Sequence, residues 1–330
     1  MAGLVLRKAQ RKQAYLKLGM SAPSGGGKTI GALIIAYGML KEKYPNIPDS
    51  EIWEKVAVLD TENGSGELYV NHLVGNLSIG EYSVIPVSAP FTAEKYIDGM
   101  QMMEDAGIEV CILDSTTHLW SGTGGLLEKQ TDATKRSNGN SYMAWREVTP
   151  LHNAFVEKML QSHMHVIATM RSKTEHVQEK DPNTGKTVVR KIGLNPVQRD
   201  GMEFEFTIFF DVDDAHQTHA TKDRTGMWAD GNYFKIVPDT GKKIMRWLMS
   251  ATSEPDKVVA VQKEEKSKKA LVDEIKGLLP KASEEDKKEL RSKMLELFKE
   301  YHSSGNPSNI DDAETLETLL VRINKLIEGE

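Results

Sequence analysis

The sequence predicts an α/β fold: a mostly parallel sheet, an antiparallel strand addition beside it, and a small helical unit toward the C-terminal end. Three observations lead there. As far as Met170, strand-length apolar runs alternate with helix-length segments, the pattern of a parallel sheet covered on both faces. After Met170 the chain turns polar before two further strand-like stretches. Beyond residue 270, apolar residues recur at spacings of three and four, which is the helical period.

Taken in order, residues 1–12 form a short basic extension with Arg7, Lys8, Arg11 and Lys12. Tyr15 to Met20 alternates and leads into Ala22-Pro23-Ser24-Gly25-Gly26-Gly27-Lys28-Thr29, after which Ile30 to Leu40 is apolar over a helix's length. This is strand, loop, helix. Further strands are read at Val56–Asp60, Tyr82–Val87, Val110–Asp114 and His165–Met170. Helices fall at about Ala93–Ala106, with Thr92 as its cap, and at about Tyr142–Ser162. Arg171 to Asn195 is polar, with turn signals at Asp181-Pro182-Asn183 and Asn183-Thr184-Gly185. Phe204–Val212 and His216–Thr221 then read as strands of the antiparallel addition.

These boundaries give a core over residues 13–249 and a charged stretch over 250–269 that suits a linker or a solvated helix. Residues 270–330 form a three-helix unit. Its stripes are Leu271, Ile275 and Leu278; Leu290, Met294, Leu297, Phe298 and Tyr301, after a start signal at Ser283 with Asp286; and Leu316, Leu319, Leu320, Ile323 and Ile327, after Asp311 with Glu314. Three such helices can bury their stripes on one another.

Composition narrows the class. Charged residues are 27% and hydrophobic residues 39% of 330, and no apolar run reaches the length of a membrane span. The N-terminal residues lack the order of a secretory signal, so a cytoplasmic protein without membrane contact is expected. One cysteine, Cys111, excludes an internal disulfide and a cysteine-rich zinc site. A net charge of −6 argues against a surface that coats nucleic acid, while leaving room for local basic segments. His163 and His165 share a face but lack a third ligand, which makes a poor metal site.

The chemistry concentrates at residues 22–29. A phosphate cradle needs small residues whose backbone N–H groups turn inward, a lysine that reaches the outer phosphates and a hydroxyl for Mg²⁺. Ala22 to Thr29 supplies all three, with Ala22 where the usual pattern has glycine. Lys28 is expected on the β- and γ-phosphates and Thr29 on the metal. Asp114 ends an apolar strand at the rim where the loop opens and is the expected second metal anchor, with Ser115 beside it. Glu62, two residues past a strand end, is the carboxylate expected to orient or deprotonate water.

Together with Asp60-Thr61-Glu62, Leu113-Asp114-Ser115, Thr169-Met170-Arg171-Ser172-Lys173, Arg199 to Phe206 and Lys222-Asp223-Arg224-Thr225-Gly226, the loop resembles the RecA core. More narrowly, it resembles phage-encoded RecA-like ATPases of single-strand annealing and recombination, with RadA more distant. The resemblance covers about residues 13–248. It implies ATP and Mg²⁺ as cofactors, Lys222 and Arg224 acting on the nucleotide of a neighbouring copy, and Thr169 and Arg171 at the position that senses the γ-phosphate. It also implies single-stranded DNA as partner, contacted by two loops: 120–142, with Lys135 and Arg136, and 173–191, with Lys173, Lys186, Arg190 and Lys191. Self-association into a ring or a DNA-bound assembly follows from shared sites, and the C-terminal helices are candidates for a replication or recombination partner. The alternatives are a helicase or helicase-loading motor and a nucleotide-switched binding protein with little turnover.

Overall fold

The computed structural model describes residues 14–180, 187–251, 271–272, 275, 286–301, 306–310 and 313–328. The start signals at Ser283 and at Asp311 with Glu314, and the turn signals at 181–185, lie outside the described residues or their side chains. The chain divides into two compact units, Met1–Ser253 and Glu254–Glu330.

In the first unit, β1 (Lys17–Ala22), β2 (Val56–Asp60), β5 (Ser83–Pro86), β6 (Val110–Asp114), β7 (His165–Lys180), β8 (Thr187–Pro196), β9 (Ile208–Val212) and β10 (Thr218–Asp223) form one eight-stranded sheet. Its order is β10-β9-β1-β7-β6-β2-β5, with β8 paired to β7 alone. A two-residue pair, β3 (Leu73–Val74) and β4 (Leu77–Ser78), stands apart. Every pairing from β9 through β1, β7, β6 and β2 to β5 is parallel.

Alternate side chains of the central strands enter two cores. Val56, Val58, Val110, Ile112 and Ile167 join one cluster with Ile35 of α1 (Lys28–Lys43) and Ile244 of α7 (Pro238–Met249). Ala57, Leu59, Cys111, Leu113, Val166 and Ala168 join another with Tyr96 of α3 (Ala93–Asp105) and Phe155 of α6 (Ser141–Gln161). Burial of both faces explains why these strands read as unbroken apolar runs rather than alternating ones. Helix α1 and α7 meet through two glycines: a Cβ at Gly38 would stand 2.0 Å from the Pro238 carbonyl oxygen, and one at Gly241 2.2 Å from that of Ile35. Only hydrogen fits at that crossing, so the helix whose start faces the phosphate loop is clamped at its other end.

The structure corrects several expectations. The polar stretch after Met170 continues β7 as an antiparallel ribbon with β8, from Ser172↔Pro196 to Lys180↔Thr187. Its residues are mostly polar, so no apolar alternation announces it. Segment 120–142 is helical rather than a loop, with α4 (Thr117–Ser121) and α5 (Leu126–Arg136) leading into α6. In α5 only Leu126 and Ala133 are buried, too few to mark a stripe. Of the two strands expected in the antiparallel addition, β9 pairs parallel to β1 and only β10 is antiparallel, to β9; residues 202–205 make a 3₁₀ turn instead of the start of a strand. Thr92 stands at the N-cap of α3 without a side-chain capping bond, whereas Asn140 caps α6 by accepting from the Met143 N–H at 3.1 Å.

The second unit holds α8 (Asp286–Tyr301) and α9 (Ala313–Glu328). Met294, Leu297 and Phe298 pack with Leu316, Leu319, Ile323, Ile310, Val272 and Ile275 in one cluster. Among the described residues, the apolar stripes of α8 and α9 bury one another. No helix among the described residues is long and apolar enough to cross a membrane.

Candidate functional site

Parallel strands bring their C-terminal ends to one edge of the sheet, and that edge collects the polar residues. Ala22 aligns with Arg171, and Asp60 with Asp114. Between β1 and α1 the chain turns through Gly25 and Gly27, with φ of 79° and 85°, a region open to glycine without penalty. The Gly26 N–H donates to the Pro23 carbonyl at 3.0 Å. Ala22 and Lys28 are buried, Pro23 is half-buried, and Ser24 and Gly25 face solvent.

Under this loop the Thr29 hydroxyl donates to Asp114 Oδ2 at 2.5 Å, and the Thr169 hydroxyl to Asp114 Oδ1 at 2.5 Å. Burial pushes the Asp114 carboxyl up, against these two hydroxyls and the nearby Lys28 ammonium, which favour its charged form. A buried carboxylate beside a hydroxyl is a hard oxygen donor set. It suits Mg²⁺, which takes one or two carboxylates and fills its remaining positions with phosphate oxygens and water. The residues present therefore fit a magnesium–nucleotide complex, which Thr29 and Asp114 would hold. Among the described residues no group of three or more His, Cys, Asp or Glu can hold a metal without such a partner.

Glu62 lies next to this pair. Asp60 shapes the turn that carries it, accepting from the N–H groups of Glu62 at 2.7 Å and Gly64 at 2.5 Å. The carboxylate accepts from the Ser115 hydroxyl at 2.9 Å, from Arg171 Nε at 3.0 Å, and from Arg171 Nη2 on its other oxygen. Burial raises the Glu62 carboxyl, but the Arg171 and Ser115 hydrogen bonds outweigh it and hold the group below its ordinary range. Thr61 Oγ accepts from the Ser115 N–H at 2.8 Å and lies 2.7 Å from His118 Nδ1. His118 stacks on Phe91, and Trp120 stacks on Trp145.

Thr169 and Arg171, expected at a γ-phosphate sensing position, are thus engaged: Thr169 holds the Asp114 carboxylate, and Arg171 holds Glu62. Nothing in the sequence pattern connects Arg171 to Glu62, which are 109 residues apart.

Lys222 and Arg224 lie elsewhere. Asp223 aligns with Ile208 at the start of β9, and the Arg224 N–H donates to Thr207, whose own N–H donates to Lys17 at the start of β1. They stand at the opposite edge of the sheet, about 17 Å along β1 from the phosphate loop at 3.3 Å per residue. Both side chains converge on the Phe204 carbonyl oxygen, Arg224 at 3.2 Å and Lys222 closer. Phe204 is itself exposed.

Of the basic residues expected at DNA, Lys135 pairs with Asp132 at 3.1 Å and Arg136 with Glu147 at 2.6 Å, all on exposed helix surface. Lys173 is exposed at the root of the ribbon. Arg190 and Lys191 take register positions opposite Val177 and His176, and Lys186 lies outside the described residues.

Comparison with known proteins returns one family. An AAA domain matches residues 14–212, well over half of the chain and the whole of β1 to β9. Among curated proteins none matches. Since the phosphate loop, Glu62, Asp114 and Arg171 all fall within the matched stretch, the chain belongs to the AAA domain family of P-loop nucleotide-binding proteins.

Proposed function

We propose that the protein is a Mg²⁺-dependent ATPase of RecA type whose active site is completed by a neighbouring copy and whose turnover answers to single-stranded DNA, in recombination, annealing or replication. The observation that carries this reading is the position of Lys222 and Arg224. A pair of cations on the sheet edge opposite the phosphate loop cannot serve the nucleotide of its own chain, but would meet that of another on leaving the Phe204 carbonyl that both now hold. Cations delivered in this way stabilise the charge that develops on a transferred phosphoryl group. Within one chain, Lys28 would bind the outer phosphates, Thr29 and Asp114 would hold Mg²⁺, and Glu62 would orient the attacking water. The bound metal supplies charge neutralisation on the phosphates.

Support for DNA comes from the β7–β8 ribbon. Residues 171–196 carry six Lys or Arg against three Asp or Glu in a chain whose net charge is −6. A two-stranded ribbon of net positive charge suits contact with a phosphate backbone.

ATP hydrolysis measured with and without single-stranded DNA, across protein concentration and with mass determined in parallel, tests the reading. DNA stimulation with a steep concentration dependence is the expected outcome. Slow, DNA-indifferent turnover by a monomer would overturn it in favour of a second reading, a nucleotide-switched binding protein. One observation favours that alternative: both oxygens of Glu62 are already held by Arg171.

A further inference from the structure

The turn between β9 and β10 leans on the phosphate loop. His216 sits in it with φ of 57°, an uncommon conformation for a residue with a side chain. Asp213 fixes that conformation. Its carboxylate accepts from the N–H groups of Ala215 at 2.9 Å and Gln217 at 2.8 Å, its own N–H donates to Gln217 at 2.9 Å, and its carbonyl accepts from the His216 N–H at 3.1 Å. The turn is also tied to the strand that feeds the phosphate loop, because the Ser21 hydroxyl donates to Asp211. Backbone strain that its surroundings enforce this fully points to a side chain that must be held in place.

The held side chain is the imidazole. Nδ1 of His216 lies 3.2 Å from the Gly26 carbonyl oxygen. A carbonyl only accepts, so for this hydrogen bond Nδ1 carries the proton. A Cβ at Gly27 would stand 3.0 Å from the same nitrogen, so glycine at position 27 answers two demands, its own positive φ and room for the ring.

We propose that His216 is a positioning residue of the nucleotide site. By donating to the Gly26 carbonyl it fixes the plane of the Gly26–Gly27 amide. It also polarises that amide, so that the Gly27 N–H at its other end becomes a stronger donor to nucleotide phosphates. The contact lies on the outer side of the loop, and the ring acts through the backbone. Such help is given equally to bound substrate and transition state, so its loss raises KM and leaves kcat nearly unchanged. The proposal rests on the phosphate-loop reading of residues 22–29.

The test compares His216→Gly, which removes the ring while tolerating the left-handed backbone, with His216→Asn, which keeps that tolerance and a side-chain N–H donor. Binding of a fluorescent ATP analogue in Mg²⁺ is titrated, and the melting temperature without nucleotide is recorded for each full-length variant. The expected result is a Kd raised about two- to twelvefold in His216→Gly, at most the effect of one hydrogen bond, with recovery toward the wild-type value in His216→Asn and little change in melting temperature. Wild-type affinity in His216→Gly, or a loss that tracks a fall in melting temperature and is not rescued by asparagine, would overturn the proposal. Lys28→Ala separates the two levels: if it binds the analogue as well as the wild type, or if the wild type does not bind, the phosphate-loop reading fails and the proposal fails with it.

Discussion

Replacing Arg171 with alanine asks what its ion pair with Glu62 does. Glu62 is 12% exposed and receives Arg171 on both oxygens as well as the Ser115 hydroxyl. A carboxylate so engaged cannot also orient a water, so the role proposed for Glu62 requires the pair to open in each catalytic cycle. Charge-assisted hydrogen bonds of this kind contribute about 1.5–3 kcal/mol when sheltered. Arg171 is 43% exposed, and competition from solvent brings the cost of opening to about 1–2 kcal/mol. Removed from the barrier, that is about a 5- to 30-fold gain in rate. Arg171→Ala should therefore raise basal ATP turnover by that factor with the nucleotide Kd little changed, whereas Glu62→Gln should still bind ATP and lose hydrolysis. Phosphate release at saturating Mg²⁺–ATP, with nucleotide binding measured alongside, reads both. If Arg171→Ala depresses kcat as far as Glu62→Gln does, the guanidinium serves the reaction directly and the restraining role is refuted.

Two further predictions concern the opposite edge of the sheet. Lys222→Ala and Arg224→Ala should each lower hydrolysis, and mixing either with Lys28→Ala should restore activity, since a mixed pair can assemble one intact site; no recovery at any ratio would exclude action between copies. Lys17 donates to the carbonyls of Ser162 and Met164, each at 2.8 Å, and burial holds its pKa down to about 7 from 10.5. Between those values the unfolded chain binds a proton that the folded chain does not, so this group's contribution to stability is full above 10.5 and is lost as pH falls toward 7, by about 1.4 kcal/mol per pH unit. Denaturation midpoints from pH 7 to 10 should rise less steeply in Lys17→Met than in the wild type, and equal slopes would show that Lys17 is not the group responsible.

How much of this was legible in the sequence depends on what each segment buries. Val56–Asp60 and Val110–Asp114 are read with the bounds that the structure has, because strands enclosed on both faces must be apolar throughout. The strand at His165–Met170 was legible, but its continuation beyond Met170, the partner strand β8 and helix α5 were not: the stretch after Met170 is polar, and in α5 only Leu126 and Ala133 are buried. At the site, the local grammar of Ala22 to Thr29 and the strand-end positions of Glu62 and Asp114 are visible. Contacts between distant segments are not. Arg171 could be named as a polar residue after a strand, but its commitment to Glu62 depends on β7 lying next to β6 and on the turn that Asp60 builds. His216 reads as one histidine among nine; only the left-handed turn and the approach to Gly26 single it out.

The unbroken run of β7 has a mechanical consequence. One strand passes from Thr169, bonded to the Asp114 carboxylate, through Arg171, bonded to Glu62, and on to Lys180 in the ribbon. From Ser172 to Lys180 the strand reaches about 26 Å at 3.3 Å per residue. A tilt of about 10° at its root would carry the far end through about 5 Å over that length. The strand is a lever whose short arm lies among the residues that would sense the nucleotide and whose long arm projects beyond the sheet. A small adjustment at the chemistry could thus be delivered, enlarged, to whatever the ribbon holds.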